Sequence, residues 1–188
     1  MLSVLDNPAI RARIHAISVE QYHKMIERGT VTKNVELIRG ALVEKTSQSP
    51  LHASSVEIVR EHLTEALRGT ALVRQEKPLT LADSEPEPDL AVVPGVRSDY
   101  LSAHPTSARL VIEVVVTSEP LDRFKLQLYA EAGIAECWLI FPEQRVIERH
   151  TEPVAADYRR VERTTFPETL RSTVFPELVI PPAGIFPA

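Results

Sequence analysis

"RLVIEVVVTSEPLDRFK", residues Arg109 to Lys125, is the stretch on which the reading of this chain turns. Five of the six residues from Val111 to Val116 are Val or Ile, and the sixth is Glu113. A run so rich in β-branched residues describes a strand buried on both faces. A carboxylate inside such a strand is costly unless something answers its charge. The segment that follows, "PLDRFKLQLYAEAG", has helical periodicity, with Leu121, Lys125, Leu128 and Ala132 on one face. A lysine therefore sits inside the apolar stripe that packs on the sheet, within reach of the end of the strand.

Outward from this stretch, strand signals occur in "ALVRQ", around "PLTLA" and in "DLAVV" before it, and in "ECWLIF" and "RVIERH" after it. The helix from about Pro120 to Ala132, ended by Gly133, links strand 110–116 to strand 136–141 as a right-handed crossover. Nearer the N-terminus, "SVEQYHKMIERG" reads as a helix with Ser18 as cap, Gln21 completing a capping box and Gly29 ending it. "VELIRGALVEK" reads as a hairpin turning at Arg39-Gly40. Ser49-Pro50 opens a second helix, with Leu51, Val59, Leu63 and Leu67 at helical spacing and Gly69 as its stop. The expected fold is α/β, or α+β, with a mixed sheet flanked by helices and an N-terminal helix and hairpin. No linker or repeat divides it, so residues 1–188 are expected to form one domain. Its core is expected at about residues 16–150, followed by a C-terminal strand and tail over 151–188. The proline-rich "FPELVIPPAGIFPA" is expected to lie along the surface.

The bulk numbers fit a globular protein: 188 residues, 44% hydrophobic and 25% charged. No apolar run approaches the roughly 18 to 20 residues that span a bilayer. "MLSVLDNPAIRARIH" lacks the basic start and apolar stretch of a secretory signal. A single cysteine, Cys137, excludes an internal disulfide and fits a reducing compartment, so the expected location is the cytoplasm. The net charge of −5 counts against a strong non-specific grip on nucleic acid, though not against a local basic patch. There is no zinc pattern, no Gly-rich phosphate loop and no nucleophile elbow.

"EPEPDLAVV" places Asp89 at the entrance of the strand before 110–116. If the two strands pair, Asp89 and Glu113 converge, and two carboxylates that close repel one another. A hard divalent cation resolves this, because magnesium takes oxygen ligands and often one or two carboxylates. Such an ion polarises phosphate and acidifies bound water, while Lys125 is placed to steady the developing charge.

At these residues the sequence resembles the PD-(D/E)xK nuclease superfamily. The longer order "ISVEQYHKMIERG", "VELIRGALVE", "SPLHASSVEIV", "PEPDLAVV", "LVIEVV" and "KLQLYAEAGIAECWLI" is similar to the Uma-two family of restriction-endonuclease-like proteins. The superfamily's usual lysine stands two residues after the glutamate, where this chain has Val115. In the Uma-two family the lysine is understood to have moved to the following helix, and Lys125 fits that place. The resemblance implies a magnesium-dependent endonuclease, with manganese as a substitute, that hydrolyses DNA phosphodiesters as a homodimer. Asp89 and Glu113 would hold the metal, and these two with Lys125 would be catalytic. The resemblance also brings in His52, in the first turn of the second helix, and Glu36 and Glu44 in the hairpin, as accessory residues.

Each residue also has a plainer reading. Asp89 can cap a turn, Glu113 can pair with an arginine, and Lys125 can snorkel at the edge of a helix face. His52 can be a surface histidine, and Glu36 and Glu44, as exposed hairpin charges, need no function. Cys137 and Trp138 read as core; His104 and His150 read as solvated. The competing function is a non-catalytic dimeric scaffold or binding protein on the same fold, which the acidic balance and the absence of an in-strand lysine favour.

Overall fold

The computed structural model describes residues 8–11, 13–32, 34–45, 47–180 and 186. It divides into two compact units, one of Met1–Lys45 with Ala82–Glu85 and the other of Thr46–Leu81 with Pro86–Ala188. In the first unit, α1 (Pro8–Arg11) precedes α2 (Val19–Glu27) and the antiparallel hairpin of β1 (Val35–Ile38) and β2 (Ala41–Glu44). The expected capping box is present: the Ser18 hydroxyl accepts from Gln21 N, and the Gln21 side chain accepts from Ser18 N. The hairpin turns through Arg39 and Gly40, both at positive φ, as a type I′ turn requires. Gly40 has a second reason to be glycine, since a Cβ there would stand 2.5 Å from Ala16 Cβ. The segment 82–85 is tied to the hairpin through Gly40 N donating to Asp83 O and Glu85 N donating to Leu37 O.

The second unit is built on a six-stranded sheet in the order β3-β4-β5-β6-β7-β8. Its strands are β3 (Leu72–Gln75), β4 (Leu90–Val93), β5 (Leu110–Val114), β6 (Glu136–Phe141), β7 (Val146–Val154) and β8 (Asp157–Thr165). Only β5 and β6 run parallel, joined by α4 (Glu119–Glu131); the other neighbours are antiparallel. The sheet is therefore mixed, as expected. Helix α3 (Pro50–Ala66) starts on a Ser49 cap that accepts from His52 N, with Pro50 in its first turn.

Alternation along β5 sorts its side chains. Leu110, Ile112 and Val114 join the main core with Val56, Val59, Leu63 and Leu67 of the α3 segment. Val115 continues the opposite face, where it packs with Leu139, Phe141 and Leu126 of α4. Each fully buried Val or Leu contributes about 1.5–3 kcal/mol of transfer free energy.

Two expectations are corrected. Residues 78–81 form no strand: Leu79 and Leu81 are buried, but Leu79 N and Thr80 N donate to Pro86 and Pro105 carbonyls in separate loops. The prolines cannot return the donors a ladder needs. The tail does not lie along the surface either. It forms the β9–β10 ribbon (Leu170–Arg171 with Val179–Ile180), and Phe175 and Leu178 between the strands, Ile180 in β10 and Phe186 beyond it belong to the main core. Its apolar residues share one core with α3 and the sheet. The tail is held by a fully buried acid, Glu136, whose Oε1 accepts from the Trp138 indole at 2.6 Å. Its Oε2 accepts from Ser172 Oγ, Thr173 N, Thr173 Oγ1 and Val174 N.

Candidate active site

The β4–β5 register, with Leu90 opposite Ile112, puts Asp89 across from Glu113. The two residues are interlocked through backbone. Asp89 N donates to Glu113 Oε2 at 3.2 Å, and Val114 N donates to Asp89 Oδ2 at 2.7 Å. Pro88 biases Glu87 before it toward extended backbone as the chain enters β4.

Helix α4 covers this point with a face more polar than the apolar stripe expected. Its buried residues are Asp122, Lys125, Leu128, Tyr129 and Ala130, while Leu121 and Ala132 are only half-buried. Lys125 Nζ stands 3.6 Å from Glu113 Oε1, and the Tyr129 hydroxyl donates to the same oxygen at 2.6 Å. From the opposite side, His52 Nε2 lies 3.1 Å from Asp89 Oδ2, so the first turn of α3 also converges here.

Burial pushes the Glu113 carboxyl up to about 8, and the charges of Asp89 and Asp122 push the same way; Lys125 and the Tyr129 hydroxyl pull it down. Burial alone would lower His52, but the hydrogen bond and charge of Asp89, with the charges of Asp122 and Glu76, raise it overall. Four carboxylates thus act around one lysine and one histidine. That excess of negative charge is what a divalent cation would neutralise. All candidate ligands are hard oxygens, and the one nearby imidazole nitrogen is engaged with Asp89, a donor set suited to magnesium or manganese rather than to zinc. Among the described residues, no three of His, Cys, Asp and Glu close into a metal cage.

The structure thus brings together Asp89, Glu113, Lys125 and His52. Glu36 and Glu44 belong to the other unit; Glu44 is exposed at the end of β2, whereas Glu36 on β1 is buried and not an exposed hairpin charge. Sequence reasoning missed Tyr129 and Asp122. Both lay in the quoted helix, at four and minus three residues from Lys125, and that spacing was the available signal. His150 is also corrected: it is buried in β7 beside Glu148 and edge-on to Tyr158, and burial lowers its pKa. Cys137 and Trp138 are core, as expected.

The model of the Uma2 family, described as "Putative restriction endonuclease", matches residues 19–183. No curated protein matches. Among solved structures, the chain is similar to one described as "a putative nuclease belonging to DUF820" from Anabaena variabilis. The TM-score is 0.70 at 16% identity, over 90% of this chain and 97% of that one. That likeness concerns the fold.

Proposed function

The chain belongs to the Uma2 family, and on that premise we propose that it is a nuclease that hydrolyses DNA phosphodiester bonds with a divalent cation, magnesium by preference and manganese as substitute. The observation that carries the reading is the meeting of Asp89 and Glu113 across paired strands with Lys125 beside them. Asp89 and Glu113 would hold the cation, which when bound polarises the phosphate and acidifies water. The rest of the work falls to the chain's own groups. Val114 N and His52 fix one oxygen of Asp89, Oδ2, and Oδ1 is the oxygen that would be offered to a cation. Tyr129 and Asp89 N fix both oxygens of Glu113. Lys125, held on a helix packed against the sheet, offers its ammonium to the charge that grows on the phosphoryl oxygens.

The family supports a nuclease, and DNA is the substrate such a site suits. Two strands call for two sites, so the working form would be a homodimer, acting in the cytoplasm where the single buried cysteine stays reduced. No helix among the described residues is long and apolar enough to cross a membrane.

The test uses supercoiled plasmid with magnesium or manganese. Glu113→Gln should lose cation binding measured by calorimetry. Lys125→Met, which keeps the packed stem, should keep the fold and the cation affinity while cleavage falls about 100- to 1000-fold. Cleavage by Lys125→Met at the wild-type rate would remove Lys125 from the chemistry. A wild type that neither binds the cation nor cuts would be the scaffold that the acidic balance favours.

A further inference from the structure

Arg74 is a cation that the chain orients without neutralising. It lies on β3, the edge strand beside β4, opposite Ala91, and Ala91 in turn lies opposite Val111. Val111 and Glu113 share a face of β5, so Arg74 stands on the face of the sheet that carries Glu113, two strands or about 10 Å to its side. The loop after β4 holds the guanidinium in place. Asp99 Oδ2 accepts from Val96 N at 2.9 Å and fills the space where a Cβ on Gly95 would stand. The Tyr100 hydroxyl donates to Pro94 O at 2.7 Å, which fixes the ring with its centroid 5.2 Å from Arg74 Cζ. Arg74 Nη2 donates to His104 Nδ1 at 3.2 Å. Among the described residues no acid pairs with Arg74, and burial pulls its pKa below the ordinary arginine value. Its Nε is buried without a hydrogen-bond partner, and the side chain as a whole is half-buried. A guanidinium held by a ring face and an imidazole, with donors to spare and no carboxylate, is built to receive an anion. Phosphates follow one another at about 3.4 Å of rise along each DNA strand, so a strand with one phosphate at Glu113 has others within reach of Arg74.

We propose that Arg74 is a phosphate-binding residue, its guanidinium fork gripping a DNA backbone phosphate that flanks the one positioned at Asp89 and Glu113. This rests on the nuclease reading above and deepens it by giving the substrate a second point of attachment. Tyr100 lends its ring face to the guanidinium and His104 holds one nitrogen, so the planar fork is oriented before DNA arrives. A contact of this kind positions the strand and reads no sequence. Arg74 acts on binding, while the chemistry stays with the groups around Glu113.

Fluorescence anisotropy with a short labelled duplex, free of divalent cation and repeated over a range of salt, is paired with plasmid cleavage in magnesium. Arg74→Gln should bind the duplex about tenfold more weakly and lower the salt slope by about one, whatever the sequence. In cleavage its KM should rise by a similar factor, with kcat at saturating DNA within about twofold of the wild type. Arg74→Lys keeps the charge and loses the fork, so it should retain the salt slope and still bind at least about threefold more weakly. A role confined to pinning the loop would move the melting temperature and leave affinity and slope untouched. If Arg74→Gln binds with wild-type affinity and slope, the proposal is overturned, and a wild type that still cuts plasmid leaves the nuclease reading standing. Should Arg74→Gln fail to fold, Arg74→Lys carries the test, and wild-type affinity in that variant overturns the fork. A wild type that neither binds the duplex nor cuts plasmid removes the nuclease reading, and this proposal with it.

Discussion

Glu113 keeps its proton up to about pH 8, because burial outweighs the help of Lys125 and the Tyr129 hydroxyl. An ordinary unfolded glutamate loses its proton near pH 4.3, so between those values the folded protein binds more protons than the unfolded one. Stability must then fall as pH rises through that window. His52, raised above its ordinary value, has the same sign, and what it contributes is lost as pH climbs past its folded pKa. His150 is lowered, so its effect has the opposite sign but is complete by about pH 6.5. From about pH 6.5 to 8.5 the metal-free protein should therefore lose several degrees of melting temperature. If Glu113 holds magnesium as proposed, the ion would have to displace its proton, so stabilisation by magnesium should grow over the same range. Thermal melts with and without magnesium check this. A metal-free melting temperature that stays flat or rises across that interval would contradict the assignment of a neutral, buried Glu113.

Among the elements, the β9–β10 ribbon is pinned at its connecting loop by the Glu136 carboxylate, which accepts from four donors of residues 172–174 and from the Trp138 indole. Glutamine in its place puts an amide N–H where backbone donors already point. Glu136→Gln should cost about 2–4 kcal/mol, a drop of roughly 5–15 °C in melting temperature. Limited proteolysis should then cut first near residue 170. An unchanged melt would mean that apolar contacts alone hold the tail. The elements were unequally legible in sequence. Ser18, Gln21, Ser49, Pro50, Arg39 and Gly40 announced their caps and turn because those signals are local. Strand β5 announced itself by composition. The tail did not, because prolines and short apolar pairs look alike whether they meet solvent or a core more than a hundred residues away. Asp122 and Tyr129 were hidden by the assumption that a helix stripe facing a sheet is apolar; here half of it serves a polar site.

Taken as a whole, an acidic molecule of net charge −5 that acts on DNA, as proposed, would have to hold it with a few local cations. Some arginines are already engaged. Arg123 pairs with Glu119 and Glu148, and Arg109 donates to Val174 O and stacks on Phe175. Lys77 is exposed and follows Glu76, whose N–H donates to Asp89 O at the edge of the candidate site. DNA affinity should weaken steeply between about 50 and 200 mM salt. Lys77→Ala should weaken it for all sequences alike and reduce the salt slope by about one. Fluorescence anisotropy across that range measures both, and an unaltered slope would place the phosphate contact elsewhere.

The burial of Phe175, Leu178, Ile180 and Phe186 beside Val59 and Leu63 also bears on how the protein is made. The ribosome supplies the sheet strands that share this core with α3 first, and the residues that complete the core last. At about 5–20 residues per second, the core waits on the order of ten seconds after α3 is made for those last side chains. During that interval part of its apolar surface is still uncovered, and a chaperone that binds such surfaces has its best opportunity. Synthesis halted shortly before residue 170 should leave a chain that such a chaperone retains, and extension through residue 186 should release it.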